Sequence, residues 1–296
     1  MYNEIAANKR KSAFIMIAFA GFAGAIAYLA GYYVGGKSFA PYAIFAGLLY
    51  VVFSYYSGSK MALALNGAKE VTKKDEPRLY RTVENLSITD GLPMPKVYVI
   101  EDPALNAFAT GRDPNHSIVC ATRGLLDTMS DTELEGVMAH ELGHVKNYDI
   151  RVSLVAFGLA SIIGIISDLV LRMWFYGGGS RDDDNNSSNN AVFMAIGLVA
   201  IILSPIVAAL IQMAISRRRE YLADATGALT TRYPEGLASA LEKIGTSGGT
   251  LKRQNSSTAH LFFANPLKGK TLANLFSTHP PIDDRVTRLR KMGSSA

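Results

Sequence analysis

Cysteine is nearly absent. The one copy, Cys120, leaves no disulfide framework and no Cys cluster to hold a metal. Any metal must therefore be held by carboxylates and the five His. Charge is scarce too, at 19% of residues against 49% hydrophobic. That is too apolar for a disordered chain and rather apolar for a soluble enzyme. The net charge of +5 is uneven: residues 57–151 carry 11 Lys/Arg against 14 Asp/Glu, and residues 216–296 carry 13 against 6. No basic stripe has the aromatic or motif context that nucleic-acid binding needs. The basic C-terminal block suits anionic lipid or the cytosol.

The apolar residues are clumped. Residues 13–34 and 38–59 run 22 positions each without a charge, 191–215 runs 25, and 152–171 carries only Asp168. A bilayer core needs about 20 apolar residues per helix, so four spans are expected. A signal peptide is disfavoured, because the first run is too long for an h-region and a second follows at once. Gly35-Gly36-Lys37 makes the first pair a tight hairpin, with Pro41 in the first turn of the second helix. Asp168 and Arg172, spaced i, i+4 near Trp174, read as an interfacial pair, which argues against a transporter. Ser204-Pro205 predicts a kink.

Flanking Lys and Arg set the orientation. Lys9, Arg10 and Lys11 precede the first span, Lys60, Lys69, Lys73 and Lys74 follow the second, and Arg217–Arg219 follow the fourth. The loop 177–190 has Arg181 alone and three Asp, so it is the expected translocated loop. The expected organisation is a cytosolic tail at 1–12 and a transmembrane hairpin at 13–59. A first catalytic part at 60–151, a second hairpin at 152–215 and a second catalytic part at 216–296 complete it.

Within the first polar block, Leu79–Asp90 has helical spacing and Val97–Ile100 reads as a short strand. Ala104–Thr110 and Ser117–Thr122, joined by the turn sequence Gly111–Asn115, predict a β-hairpin, with Cys120 as a packed thiol. Ser130-Asp131-Thr132-Glu133 is a capping box that starts a helix through Asn147. The expected fold class is mainly α with a small β-sheet: four transmembrane helices and a cytosolic zincin-type catalytic domain.

That capped helix carries His140-Glu141-Leu142-Gly143-His144. Two His four apart project from one helix face and can share one Zn²⁺ at about 2.0–2.1 Å. Glu141 is aimed beside the metal, where it can take a proton from the attacking water and pass it to the leaving amine. A third protein ligand is needed. His116, His260 and His279 are candidates, and so is a carboxylate on a second helix. Glu220 is the best placed, with Asp224 four residues on and able to accept the N–H of a ligating His. The alternative for Glu220 is a salt bridge to Arg217 or Arg218.

HExxH followed by ExxxD resembles the signature of glutamate-ligand zinc peptidases. The full set resembles the HtpX-like membrane metallopeptidases, the family that also holds the CaaX prenyl protease. It comprises Asn106–Gly111, His140–His144, Arg219-Glu220–Asp224, and Ser277–Pro281 with Arg285. The resemblance implies one Zn²⁺ per chain on His140, His144 and Glu220, with Glu141 as general base and acid and Asp224 orienting His140. It implies that Asn106, Ala107 and Phe108 lie on an exposed edge strand that pairs with substrate. His279 is a candidate oxyanion donor, and Arg285 a candidate supporting residue or partner of a nearby carboxylate. The implied role is quality control of damaged or misfolded membrane proteins in the bacterial inner membrane, on its cytosolic side. The partners are then unfolded polypeptide and the bilayer, with no nucleic acid. Two other readings stand beside it: a CaaX-type protease of prenylated tails, and a non-catalytic membrane scaffold, against which the intact Glu141 argues. The N-terminal tail, longer than the family leads one to expect, bears on targeting or regulation rather than chemistry.

Overall fold

The computed structural model describes residues 2–162, 217–247, 250–253, 255, 257–264 and 280–294. The chain is mainly helical with one small sheet. Helix α1 is Tyr2–Gly35 and α2 is Ala40–Asn66. Strand β1 (Ala68–Glu70), helix α3 (Pro77–Asp90), strands β2 (Lys96–Ile100), β3 (Ala107–Gly111) and β4 (Ser117–Thr122), and the short helix α4 (Arg123–Thr128) follow. Helix α5 is Asp131–Lys146, α6 covers 149–162, α7 is Arg217–Thr231, α8 is Pro234–Ser247 and α9 is Ile282–Ser294. The described residues divide into two units.

The first unit gathers Met1–Lys9, Ser59–Leu154 and Ala214–Ala296. Its sheet has the order β1-β2-β4-β3, with β2 and β4 parallel and the other pairs antiparallel. The expected hairpin forms between β3 and β4, but Ala104–Asn106 stay outside the strand, and a turn of 3-10 helix, Pro114–His116, closes the loop. The edge strand β1 and helix α4 were not foreseen, being too short for periodicity to reveal. The core centres on α5, where Leu134, Val137, Met138, Leu142 and Val145 are buried against the sheet and α8. This helix starts where its capping box puts it: Ser130 accepts the Glu133 N–H, and the Glu133 carboxylate accepts the Ser130 N–H. Glu133 also accepts bonds from Ser239 and Lys243, which ties the start of α5 to α8. Cys120 is buried in β4.

The second unit gathers Arg10–Gly58 and Val155–Met213, described as far as residue 162. The hairpin between α1 and α2 turns at Gly36, whose φ of 70° suits glycine. Both helices contain stretches long and apolar enough to cross a membrane, Ala6–Tyr28 and Ala40–Asn66. Phe45, Leu49, Val52, Phe53 and Tyr56 stand exposed along α2. A soluble helix would turn such a face inward; a bilayer accepts it. Of the expected third span, residues 152–162 are described and helical; its remainder, the Asp168–Arg172 pair and the fourth span lie outside the described residues. Within the expected tail at 1–12, the residues from Tyr2 onward are helical and continue into the rest of α1.

Candidate active site

The site is built where α5 crosses α7. Small residues let the two backbones approach. A Cβ on Gly227 would stand 3.0 Å from the His140 nitrogen, and one on Gly143 would stand 3.4 Å from Ala223. This crossing carries Glu220 to the two histidines of the capped helix. His140 Nε2 lies 3.1 Å from His144 Nε2 and 3.7 Å from a Glu220 oxygen, and His144 Nε2 lies 3.6 Å from the other oxygen. Ligands at about 2.0–2.1 Å around a tetrahedral ion are about 3.3 Å apart, so this triangle fits one metal.

The far nitrogen of each ring decides the chemistry. His140 Nδ1 is 2.9 Å from Asp224 Oδ1, and His144 Nδ1 is 3.0 Å from Asp149 Oδ2. A carboxylate accepts only from a protonated nitrogen, so in the neutral form of each ring Nε2 is the nitrogen left to bind a cation. Two Nε2 atoms and a carboxylate then converge, and a cation, whether a metal ion or a proton on His144, balances them. The carboxylate–histidine–metal pattern is the one that fixes the tautomer of metal ligands. Burial lowers the His140 pKa to about 4, with Asp224 opposing it in part. Burial acts the same way on His144, but the Asp149 bond and the Glu220 charge outweigh it and leave the pKa raised to about 9. The pocket at His144 thus favours positive charge.

Arg285, 1% exposed, donates to Asp224 through Nε at 2.9 Å and Nη2 at 2.7 Å. Its guanidinium stands behind His140 and holds Asp224. Glu141 is buried and lines a cavity of about 30 Å³ together with both histidines, Glu220, Ala109 and Arg219. That volume admits water and no peptide.

Asn106, Ala107 and Phe108 are buried, and the edge at Asn106–Ala107 is already occupied. The Phe263 N–H donates to the Ala107 carbonyl, and the Asn106 amide bonds both backbone groups of Ala264. Phe108 packs edge-on against Phe262 rather than facing a cleft. By the alternation of an antiparallel strand, Ala109 turns its backbone groups the same way as Ala107, and it lines the cavity. Of the other His candidates, His116 pairs with Asp113, outside the cavity lining. His260 lines the cavity, its Nε2 3.1 Å from the Ser153 carbonyl oxygen. His279 lies outside the described residues. Asp149 and Phe263, whose ring packs edge-on against His140, were missed. Only Asp149, five residues past His144, had a sequence signal to offer.

The model described as peptidase family M48 matches residues 73–293. The chain belongs to peptidase family M48. This M48 peptidase is 51% identical over 294 residues to a Protease HtpX homolog of Tropheryma whipplei, covering 99% of each chain. It is 45% identical over 293 residues to a Protease HtpX homolog of Dictyoglomus thermophilum, covering 99% of this chain and 95% of that one. Its fold is similar to the crystal structure of S. mikatae Ste24p, with a TM-score of 0.53 and 19% identity, over 98% of this chain and 67% of that one. The HtpX-like resemblance is borne out. Family, relatives and the converging donor set make it a metalloprotease, and α1 and α2 fit a membrane protein.

Proposed function

We propose that the chain is a zinc endopeptidase of the bacterial cytoplasmic membrane, facing the cytosol, that cleaves locally unfolded or damaged membrane proteins. The observation that carries this is the convergence of two imidazole nitrogens and one carboxylate beside a buried glutamate. Two nitrogens and one oxygen donor suit Zn²⁺. His140, His144 and Glu220 would hold it. When bound, the ion supplies Lewis-acid activation of water and of the scissile carbonyl.

The remaining work belongs to the chain. Glu141 takes the proton of the attacking water and returns it to the leaving amine. Asp224 and Asp149 keep the rings in the ligating tautomer, and Arg285 keeps Asp224 in place. The substrate backbone pairs with the outward groups of Ala109, one residue beyond the edge expected at Asn106–Phe108. This mode of strand addition reads backbone more than side chain and suits broad specificity. A cavity of about 30 Å³ must open before a peptide enters, and the segment at Phe262–Ala264 is the wall that has to yield. Extended, locally unfolded targets are therefore favoured. The charge bias of the flanks supports the cytosolic side.

The test is metal analysis of the detergent-purified protein, with casein hydrolysis compared between wild type and Glu141→Gln. About one zinc per chain in both proteins is expected, with hydrolysis reduced by at least about 10²–10⁴-fold in the variant. Near-normal hydrolysis by Glu141→Gln would remove Glu141 from the mechanism, and a metal-free wild type would remove the metal centre.

A further inference from the structure

The first helix reaches the metal centre by a contact that no motif announces. Asn8 lies in α1, ahead of the first apolar run, and is 2% exposed. Its amide nitrogen donates to Asp149 Oδ1 at 2.8 Å and to the Asn147 carbonyl at 2.9 Å. The next residue, Lys9, sets its ammonium 4.4 Å from the centre of the Tyr148 ring. Two consecutive residues of α1 therefore grip three consecutive residues of the turn that leaves the HExxH helix. The middle one, Tyr148, has φ 61°, in the left-handed region that non-glycine residues seldom adopt. Such backbone persists where its surroundings hold it. Asp149 matters most, because its other oxygen bonds His144 Nδ1.

Asp149 also has a rival partner. Arg219 Nη1 stands 3.6 Å from Asp149 Oδ1, within ion-pair range but too far for a hydrogen bond. That nitrogen is buried and has no hydrogen-bond partner among the described residues. A carboxylate released from Asn8 is drawn toward Arg219, and its rotation carries Oδ2 away from the His144 ring.

We propose that Asn8 is a positioning residue of the metal centre, fixing the Asp149 carboxylate that in turn fixes the His144 ring. The N-terminal segment is then part of the site's architecture and not solely a matter of targeting. The proposal rests on the reading that His140, His144 and Glu220 hold the metal.

The test uses the full chain in detergent and reads zinc affinity by competition with a chromophoric chelator, alongside thermal unfolding of the metal-free protein. Asn8→Ala should weaken zinc binding by about 10-fold, and Asp149→Ala by about 10–100-fold, the range for groups that orient metal ligands. The double variant should bind no more weakly than Asp149→Ala alone, because Asn8 acts only through Asp149. A helix-docking role without positioning would lower the unfolding temperature and leave zinc affinity alone. Asn8→Ser, too short to reach both acceptors, carries the same comparison if Asn8→Ala fails to fold. Zinc affinity within twofold of wild type in the Asn8 variants, or losses that multiply in the double variant, would overturn the proposal. A wild type that binds no zinc would overturn the metal centre itself and the proposal with it.

Discussion

Replacing Asp224 by Ala does two kinds of damage, and the structure separates them. The carboxylate is the acceptor for His140 Nδ1 and for two nitrogens of Arg285. Without it, a guanidinium that is 1% exposed loses its close partner. Breaking a buried pair from one side costs about 3–5 kcal/mol. At about 2–4 °C per kcal/mol for a domain of this size, the metal-free protein should unfold on the order of 10 °C lower. The second effect falls on the metal. Arg285 Nη2 already stands 3.4 Å from His140 Nδ1. With Asp224 gone it becomes the donor to that nitrogen, and the ring proton moves to Nε2, where the metal should bind. Arg285 Nη1 is also 3.9 Å from Glu220 and can draw the third ligand aside. Zinc affinity should therefore fall by about 100-fold, the upper end of the usual range. The decisive control is Asp224→Ala combined with Arg285→Met, which removes the stranded charge and the competing donor. It should recover part of both the unfolding temperature and the zinc affinity. Differential scanning of the metal-free proteins and chelator competition measure the two effects. The reasoning fails if Asp224→Ala unfolds within a degree or two of wild type, or if the double variant is no better than the single in either assay.

Two further outcomes are expected. Gly227→Ala places a Cβ about 3.0 Å from backbone atoms of His140 that cannot step aside. It should cost about 1–3 kcal/mol and weaken zinc binding by spreading α5 from α7. Gly143→Ala, with nearest contacts from 3.4 Å, should be tolerated; equal effects of the two would refute the close crossing. For Glu133, burial alone would raise the carboxyl pKa, but bonds from Lys243, Ser239 and Ser130 overcome it and leave it lowered to about 2. The folded state thus keeps Glu133 ionised to lower pH than the unfolded chain does. The stability involved, at most about 3 kcal/mol, is complete above about pH 4.5 and is lost as pH falls toward about 2. The difference in unfolding temperature between wild type and Glu133→Gln should shrink across that window; a difference independent of pH would refute the assignment.

Much of the site was legible because its parts are local. A capping box, a four-residue spacing of His and a four-residue spacing of Glu220 and Asp224 are each set within one helix, where 3.6 residues per turn dictate which side chains share a face. The long charge-free runs announced α1 and α2 for the same kind of reason: length and polarity are properties of a segment. Cys120 as a packed thiol followed from its place in a strand that reads as buried.

Other parts only the tertiary structure decided. Which carboxylate serves which ring depends on where α7 crosses α5 and on the turn at Tyr148, and neither is written in a periodicity. Asn8 meets Asp149 across 141 residues of sequence, and Asn106 meets Ala264 across 158. A contact at that separation leaves no mark on its neighbours in sequence, since an Asn reads alike whether it caps a turn, faces water or steadies a metal ligand. The edge strand shows the same limit. Its sequence told that a strand would form, but hydrogen-bonding groups carry no label for their partner, and the folded chain gave the first of them to Phe263 and Ala264. Local chemistry determined which residues could bind a metal. The crossing of helices distant in sequence determined which of them meet, and which others hold them there.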